Sequence, residues 1–298
     1  MRRKRLRSAV ADGSAPPTVR TVAGLAGVSI ASASRVLNGL GASPATERRV
    51  REAAAKVGYV PNAVARSLQS RRTEMLALAV EDIGNPVYVA MMRALEAVAT
   101  AAGYRLQVHA THADVDGEVG LLDGLARRHV DGLVISPIRI TEAHLAALKR
   151  IQTPVVVVGT LPDDGLPVDN VRADSHTGVG LAISHLVETG RRRIGFLNGP
   201  LDTVPGAARQ AGYADALTAA GLAYRDELVE PADFHYAAGR DAAERLLRRT
   251  GVDAILCAND LIAVGALHTL LNSGRRVPDD VALIGMDDTD LAEMSYPQ

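Results

Sequence analysis

The sequence predicts an all-α helix-turn-helix head followed by an α/β body of two doubly wound, parallel-sheet lobes. Three observations predict this. Charge is divided unevenly: residues 1–72 carry 14 Lys and Arg against 3 Asp and Glu, a net of +11, whereas residues 73–298 carry 19 against 31, a net of −12. Helical periodicity with small-residue punctuation fills the first part. Strand-like apolar runs alternating with amphipathic helices fill the second. The expected divisions are a basic tail at 1–17, a helical head at 18–60, a short connecting segment at 61–72, and lobes at 73–175 and 176–298.

In the head, Val19, Val22, Ala23 and Ala26 fall on one helical face that ends at Gly27. A second helix opens at the N-cap residue Ser29, buries Ala33, Val36 and Leu37, and stops at Asn38-Gly39. A third begins with Ser43 as cap and Pro44 at its first position, places Val50, Ala53, Ala54 and Val57 on one face, and ends at Gly58. Two short helices joined by a glycine turn and braced by a third match a helix-turn-helix unit.

From Met75 the pattern changes. "LALAV", a Val87–Ala101 helix, "RLQVH", a Glu118–Arg127 helix, "GLVIS", an Ala143–Ile151 helix and "PVVVVG" make the first run. The second comprises a Thr177–Glu188 helix, "IGFLNG", helices at Ala207–Ala220 and Tyr236–Arg249, "AILCAN", a Leu261–Asn272 helix and "VALIGM". Strands alternating with helices of this length form βαβ units around parallel sheets. A ligand of such lobes is expected at the carboxyl ends of the strands, in the cleft between them.

Composition excludes several classes. At 47% hydrophobic and 22% charged the chain is ordinary globular protein. Its longest apolar runs are four to six residues, such as Val155–Val158, so no membrane span or signal peptide is expected, and the simple location is the cytoplasm. The single cysteine, Cys257, excludes an internal disulfide framework and reads as a buried small hydrophobe. His109 and His112 read as solvated, not as zinc ligands. "GVG" at Gly178–Gly180 lacks the rest of a dinucleotide fingerprint, and no phosphate loop is present, so neither metal nor cofactor is expected.

In a helix-turn-helix the second helix enters the major groove with its N-terminal residues at the base edges. With Ala33, Val36 and Leu37 facing inward, Ile30, Ala31, Ser34 and Arg35 share the outer face. Arg35 can pair bidentately with guanine, while Ile30 and Ala31 suit a thymine methyl. Thr18, Ser29, Ser34 and Asn38 are short polar groups at helix ends suited to phosphates; helix capping accounts for Ser29 equally well.

"TVRTVAGLAGVSIASASRVLNG" followed by "VGYVPNAVARSLQSRRT" resembles the head of the lactose-repressor (LacI/GalR) family of bacterial transcription regulators. The "SRVLN" and "GY.PN..ARSL" blocks, about 24 residues apart, make the signal specific. The resemblance implies that Ile30, Ala31 and Arg35 read bases. It also implies that Pro61–Gln69 is a hinge helix, with Asn62 and Ala65 at the minor groove and Leu68 wedged between base steps. A helix that short is marginal alone, so it is expected to order only on DNA beside its dimer mate.

The resemblance continues in "EDIGNPVY", "DGLVISPI", "HLVETGRRRIGFLNGP", "RQAGYADAL", "AILCANDLIAVGAL" and "VALIGMDDTDLAE". It implies periplasmic-binding-protein-like lobes enclosing a small effector, with Asn85, Tyr88, Ser136, Arg209, Phe234, Asn259 and Asp287 as contacts. The chemistry suits a sugar or related metabolite: Asp and Asn bond vicinal hydroxyls, Arg offers a fork, and aromatic rings stack on a sugar face. Turn capping fits Asn259 and Asp287 equally, and core packing fits Phe234. Arg209 falls in the first turn of the expected helix, where the dipole disfavours a cation, and a ligand would explain it there.

The expected protein is thus a dimeric, effector-controlled transcription regulator, a repressor, on a pseudo-palindromic operator. The alternatives are a solute- or sugar-binding protein, which would need a secretion signal and no basic head, and a sugar-modifying α/β enzyme, which would need a catalytic constellation. The family runs on past the equivalent of Met294–Gln298 through segments that cross back to complete both lobes. The resemblance therefore implies unpaired sheet edges in a chain ending at Gln298.

Overall fold

A computed structural model of the chain describes residues 16–61, 67, 72–162 and 165–298. The expected minor-groove residues Asn62, Ala65 and Leu68 lie outside the described residues. The chain divides into two compact units, Met1–Thr73 and Glu74–Gln298.

In the first unit, α1 (Val19–Ala26), α2 (Ile30–Leu37) and α3 (Pro44–Lys56) each start where a hydroxyl can take a free helical N–H. The Thr18 hydroxyl accepts the Thr21 N–H, and the Thr21 hydroxyl takes the Thr18 N–H in return, a reciprocal cap. Gly27, at φ 61°, ends α1 in a left-handed conformation that glycine adopts without a side-chain clash. Val22, Ala23, Ala33, Val36, Val50 and Ala53 form the core of this unit. Mostly small, they let the three helices approach closely.

The second unit contains two parallel sheets. The first is ordered β2-β1-β3-β4-β5, from β1 (Met75–Val80), β2 (Arg105–Ala110), β3 (Gly132–Ser136), β4 (Val155–Val158) and β5 (Asp169–Val171). The second is ordered β7-β6-β8-β9, from β6 (Ile194–Asn198), β7 (Val229–Pro231), β8 (Ala254–Cys257) and β9 (Ala282–Ile284). Successive side chains of β1 serve opposite faces. Ala77 and Ala79 pack in one cluster with Leu122 of α5 (Val115–Gly124) and Leu148 of α6 (Glu142–Arg150). Leu78 and Val80 pack in another with Tyr88 and Met91 of α4 (Pro86–Ala101). Around the second sheet lie α7 (Ser175–Glu188), α8 (Val204–Ala219), α9 (Tyr236–Arg249) and α10 (Asp260–Asn272), followed by α11 (Asp290–Met294). Where α9 crosses α10, a Cβ on Gly239 would meet the Ile262 carbonyl at 2.4 Å, so only glycine permits that approach.

Several expected boundaries shift. The Glu118–Arg127 helix starts at Val115 and passes into a 3₁₀ turn at Leu125–Arg127. The expected Ala207 start moves to Val204, because the Thr203 hydroxyl accepts the Gly206 N–H and Pro205 fits the first turn. Arg209 is therefore the sixth residue of α8, beyond the turn where the dipole acts most strongly, and the dipole argument for a ligand there falls away. β5, β7 and α11 were not expected at all. No described helix is long and apolar enough to cross a membrane.

Candidate functional site

On the head, the outward face of α2 carries Ile30, which is 45% exposed, with Ala31 and Arg35 also exposed. Nothing in the head's core uses these side chains. The four candidate phosphate contacts are already engaged locally. Thr18 and Ser29 cap their helices, the latter accepting the Ser32 N–H at 3.1 Å, while the Asn38 amide donates to the Ser34 hydroxyl at 3.2 Å. Their remaining lone pairs and protons are what a phosphate could use.

In the body, each sheet reverses its winding between two central strands, β1 and β3 in one and β6 and β8 in the other. At such a switch point the loops leave in opposite directions and open a crevice at the carboxyl ends. The crevices of the two lobes share a cavity of about 590 Å³, within the usual range for a small-molecule site. All seven candidate effector contacts line it: Asn85, Tyr88 and Ser136 from the first lobe, and Arg209, Phe234, Asn259 and Asp287 from the second.

Several of these side chains also hold the cleft's own framework. Asn85 caps α4, its Oδ1 accepting the Val87 N–H at 3.2 Å. Asn259 caps α10 by accepting the Ile262 N–H at 2.9 Å, and its amide donates to the Phe234 carbonyl at 3.1 Å. The capping role weighed for Asn259 from sequence is thus present beside its place in the cavity wall. Phe234 likewise belongs to the second lobe's core and to the cavity at once. Tyr88 lies beside Ser136, and burial pushes its hydroxyl up to about 12, so it stays neutral.

Arg209 and Asp287 form the polar centre. The closest approach of guanidinium to carboxylate is 3.9 Å, and the guanidinium carbon lies 5.9 Å from the centre of the Phe234 ring. Burial lowers the pKa of Arg209, and its Nε has no hydrogen-bond partner. Burial also pushes the Asp287 carboxyl up to about 7, against the pull of Arg209. Asp287 itself sits at φ 104° in a loop pinned by Asp260, whose buried carboxylate accepts both the N–H and the hydroxyl of Thr289 at 2.8 Å. An unsatisfied guanidinium donor, a carboxyl whose pKa burial raises and a stacking ring within one crevice suit a hydroxyl-rich ligand.

Sequence reading missed Glu81, Arg172, Asp174 and His176, which also line the cavity. Glu81 directly follows β1, so strand-end logic could have found it. Burial raises the pKa of its carboxyl. The Arg172–His176 stretch lies in the crossing between lobes, where no motif marks it. Among the described residues no group of three or more His, Cys, Asp or Glu is arranged to hold a metal ion. Cys257 is fully buried in β8, and burial pushes its thiol well up.

A helix-turn-helix head and a ligand cleft in one chain define an effector-controlled, DNA-binding transcription regulator. Residues 18–62 match the bacterial regulatory proteins of the lacI family, and residues 73–291 match the periplasmic binding proteins and sugar binding domain of the LacI family. The chain belongs to the LacI family. It is 38% identical over 292 residues to the HTH-type transcriptional regulator CelR of Thermobifida fusca, covering 94% of this chain and 85% of the relative. It is 33% identical to the HTH-type transcriptional repressor PurR of Aliivibrio salmonicida, with the same coverage of 94% and 85%. Among solved structures, a CelR–cellobiose complex aligns with a TM-score of 0.67 at 37% identity, covering 94% of this chain and 86% of that one. The lac repressor dimer bound to operator and the anti-inducer ONPF aligns at 0.83 and 27% identity, covering 94% and 85%.

Proposed function

We propose that this protein is a repressor that binds a pseudo-palindromic operator as a homodimer and is switched by a sugar or related metabolite held between its lobes. The observation that carries this reading is the convergence of Arg209, Asp287 and Phe234 on a cavity of about 590 Å³ between the lobes, in a chain with a basic helix-turn-helix head. Arg35 reads a guanine, Ile30 and Ala31 contact methyl groups, and Thr18, Ser29, Ser34 and Asn38 set the head on phosphates. Asn62, Ala65 and Leu68 act at the minor groove. The repressor role is supported by PurR among the relatives, and the dimer by the solved lac repressor complex. Exposed Ala90, Ala94, Val98 and Ala101 give α4 an apolar outer stripe suited to a subunit contact. The protein works in the cytoplasm on nucleoid DNA.

The test selects binding sites from random duplexes, then titrates the recovered operator at fixed salt with and without each sugar that shifts the melting temperature. A two-fold symmetric site whose affinity changes with one sugar is expected. Recovery of no preferred sequence would sink the reading.

A further inference from the structure

Among the described residues, polar contacts join the lobes beside the cleft. Arg93 of α4 pairs with Asp290 of α11 at 3.5 Å, both largely exposed, and two tighter contacts lie together at the rim. Val204 is the first residue of α8, where a helical N–H has no acceptor within its own helix. Its N–H donates instead to the carbonyl of Ile138, in the other lobe, at 2.8 Å. The next residue, Arg139, reaches back across the cleft. Its Nε donates to Asp202 Oδ2 at 2.8 Å and its Nη2 to Oδ1 at 3.3 Å. Arg139 follows β3 of the first lobe, and Asp202 follows β6 of the second. Neither side chain lines the cavity.

The surroundings make this pair asymmetric. Glu81 of the first lobe and Asp233 of the second both act on Arg139, and Glu81 in turn faces Asp82 on its own lobe and Asp233 and His235 on the other. Arg139 is attracted by Asp202, Glu81 and Asp233 alike. Removing Asp202 deletes one attraction. Removing Arg139 also leaves Glu81 opposing Asp233 across the rim with no cation between them.

We propose that Arg139, Asp202 and the Val204–Ile138 hydrogen bond form an interlobe latch that sets how often the ligand-free body is closed. This rests on the proposed function, in which a metabolite held between the lobes switches the regulator. Apparent effector affinity falls in proportion to the closed fraction, so the latch sets the concentration at which regulation begins. It acts on the equilibrium between lobe arrangements, and its Arg139–Asp202 pair lies outside the cavity lining, while Ile138 and Val204 belong to the cavity wall.

Hydrogen exchange at the Val204 amide reports the latch directly, because that N–H loses its acceptor when the lobes part. The measurement uses the full-length protein with neither ligand nor DNA, so its failure leaves the regulator reading standing. Conversely, a protein that regulates nothing could still show the latch. Asp202→Asn is expected to speed Val204 exchange about threefold, as for a partly exposed ion pair, and Arg139→Gln about tenfold. The reversed pair Arg139→Asp with Asp202→Arg is expected to restore part of the protection lost in Arg139→Gln, since the new carboxylate stands beside Glu81 and Asp233. Raising salt to about 1 M, where screening acts within roughly 3 Å, should speed wild-type exchange and narrow the gap between variants. Unchanged Val204 exchange in Arg139→Gln, or equal effects of the two single variants, overturns the proposal. If the Ile255 amide of the buried β8 strand also accelerates in Arg139→Gln, the reversed pair decides. Recovery at Val204 supports the latch, and no recovery overturns it.

Discussion

Arg209 and Asp287 face each other across 3.9 Å with both side chains largely buried, too far for a hydrogen bond and too close to be independent. Burial outweighs the attraction, so the folded protein holds the Asp287 proton up to about pH 7, against an ordinary 3.8. A raised acid pKa stabilises the fold fully below the unfolded value and loses that contribution as pH rises through about 7. Asp287→Asn stays neutral and tolerates the positive φ. Its stability relative to wild type should therefore grow by about 2 kcal/mol between pH 5 and pH 8.5, measured by urea unfolding. A constant difference across that range would show that Asp287 titrates normally.

The unpartnered Nε of Arg209 predicts a split between DNA and ligand responses. Arg209→Lys keeps the charge but loses the planar fork. Operator affinity without effector should be unchanged, while the effector concentration for half response rises about tenfold or more. Anisotropy of labelled operator titrated with the screened sugar reads both. Equal weakening of the two would place Arg209 in the fold and not in recognition.

Gly199 fixes where Phe234 can sit. A Cβ at Gly199 would stand 2.1 Å from the ring's Cζ, so Gly199→Ala must expel the ring from the cleft wall. A loss of about 1–3 kcal/mol in unfolding is expected, together with loss of effector response. Adding Phe234→Leu should recover much of the stability without the response. A stable, fully responsive Gly199→Ala would contradict the placement of the ring.

Arg35 is exposed on α2 and outside the head's buried core, so its removal should leave the head folded. Arg35→Ala is expected to cost about 1–3 kcal/mol in specific binding and to relax preference at one base pair per half-site. Site selection with the variant checks this; an unchanged consensus would remove Arg35 as a reader.

What was legible in the sequence followed burial. The central strands read as continuous apolar runs because both faces are covered, as with Ile194–Leu197 in β6. β5 was invisible because Asp169, Asn170 and Val171 are all exposed and only three residues long. β7, ending in Pro231, was equally short. The misplaced start of α8 was recoverable, since Thr203 followed by Pro205 is an N-terminal signature. All seven candidate cleft residues could be named through family motifs, whereas Glu81, although it opens "EDIGNPVY", was passed over for Asn85 and Tyr88 and is recovered from strand direction.

The double employment of Asn85 and Asn259 decides where this receptor could be retuned. Each begins a helix, so exchanging either to admit a different metabolite would loosen the framework along with the selectivity. Arg209 and Asp287 have no such duty. An engineer converting this chain into a sensor for another compound has more freedom at the polar centre of the crevice than at its walls.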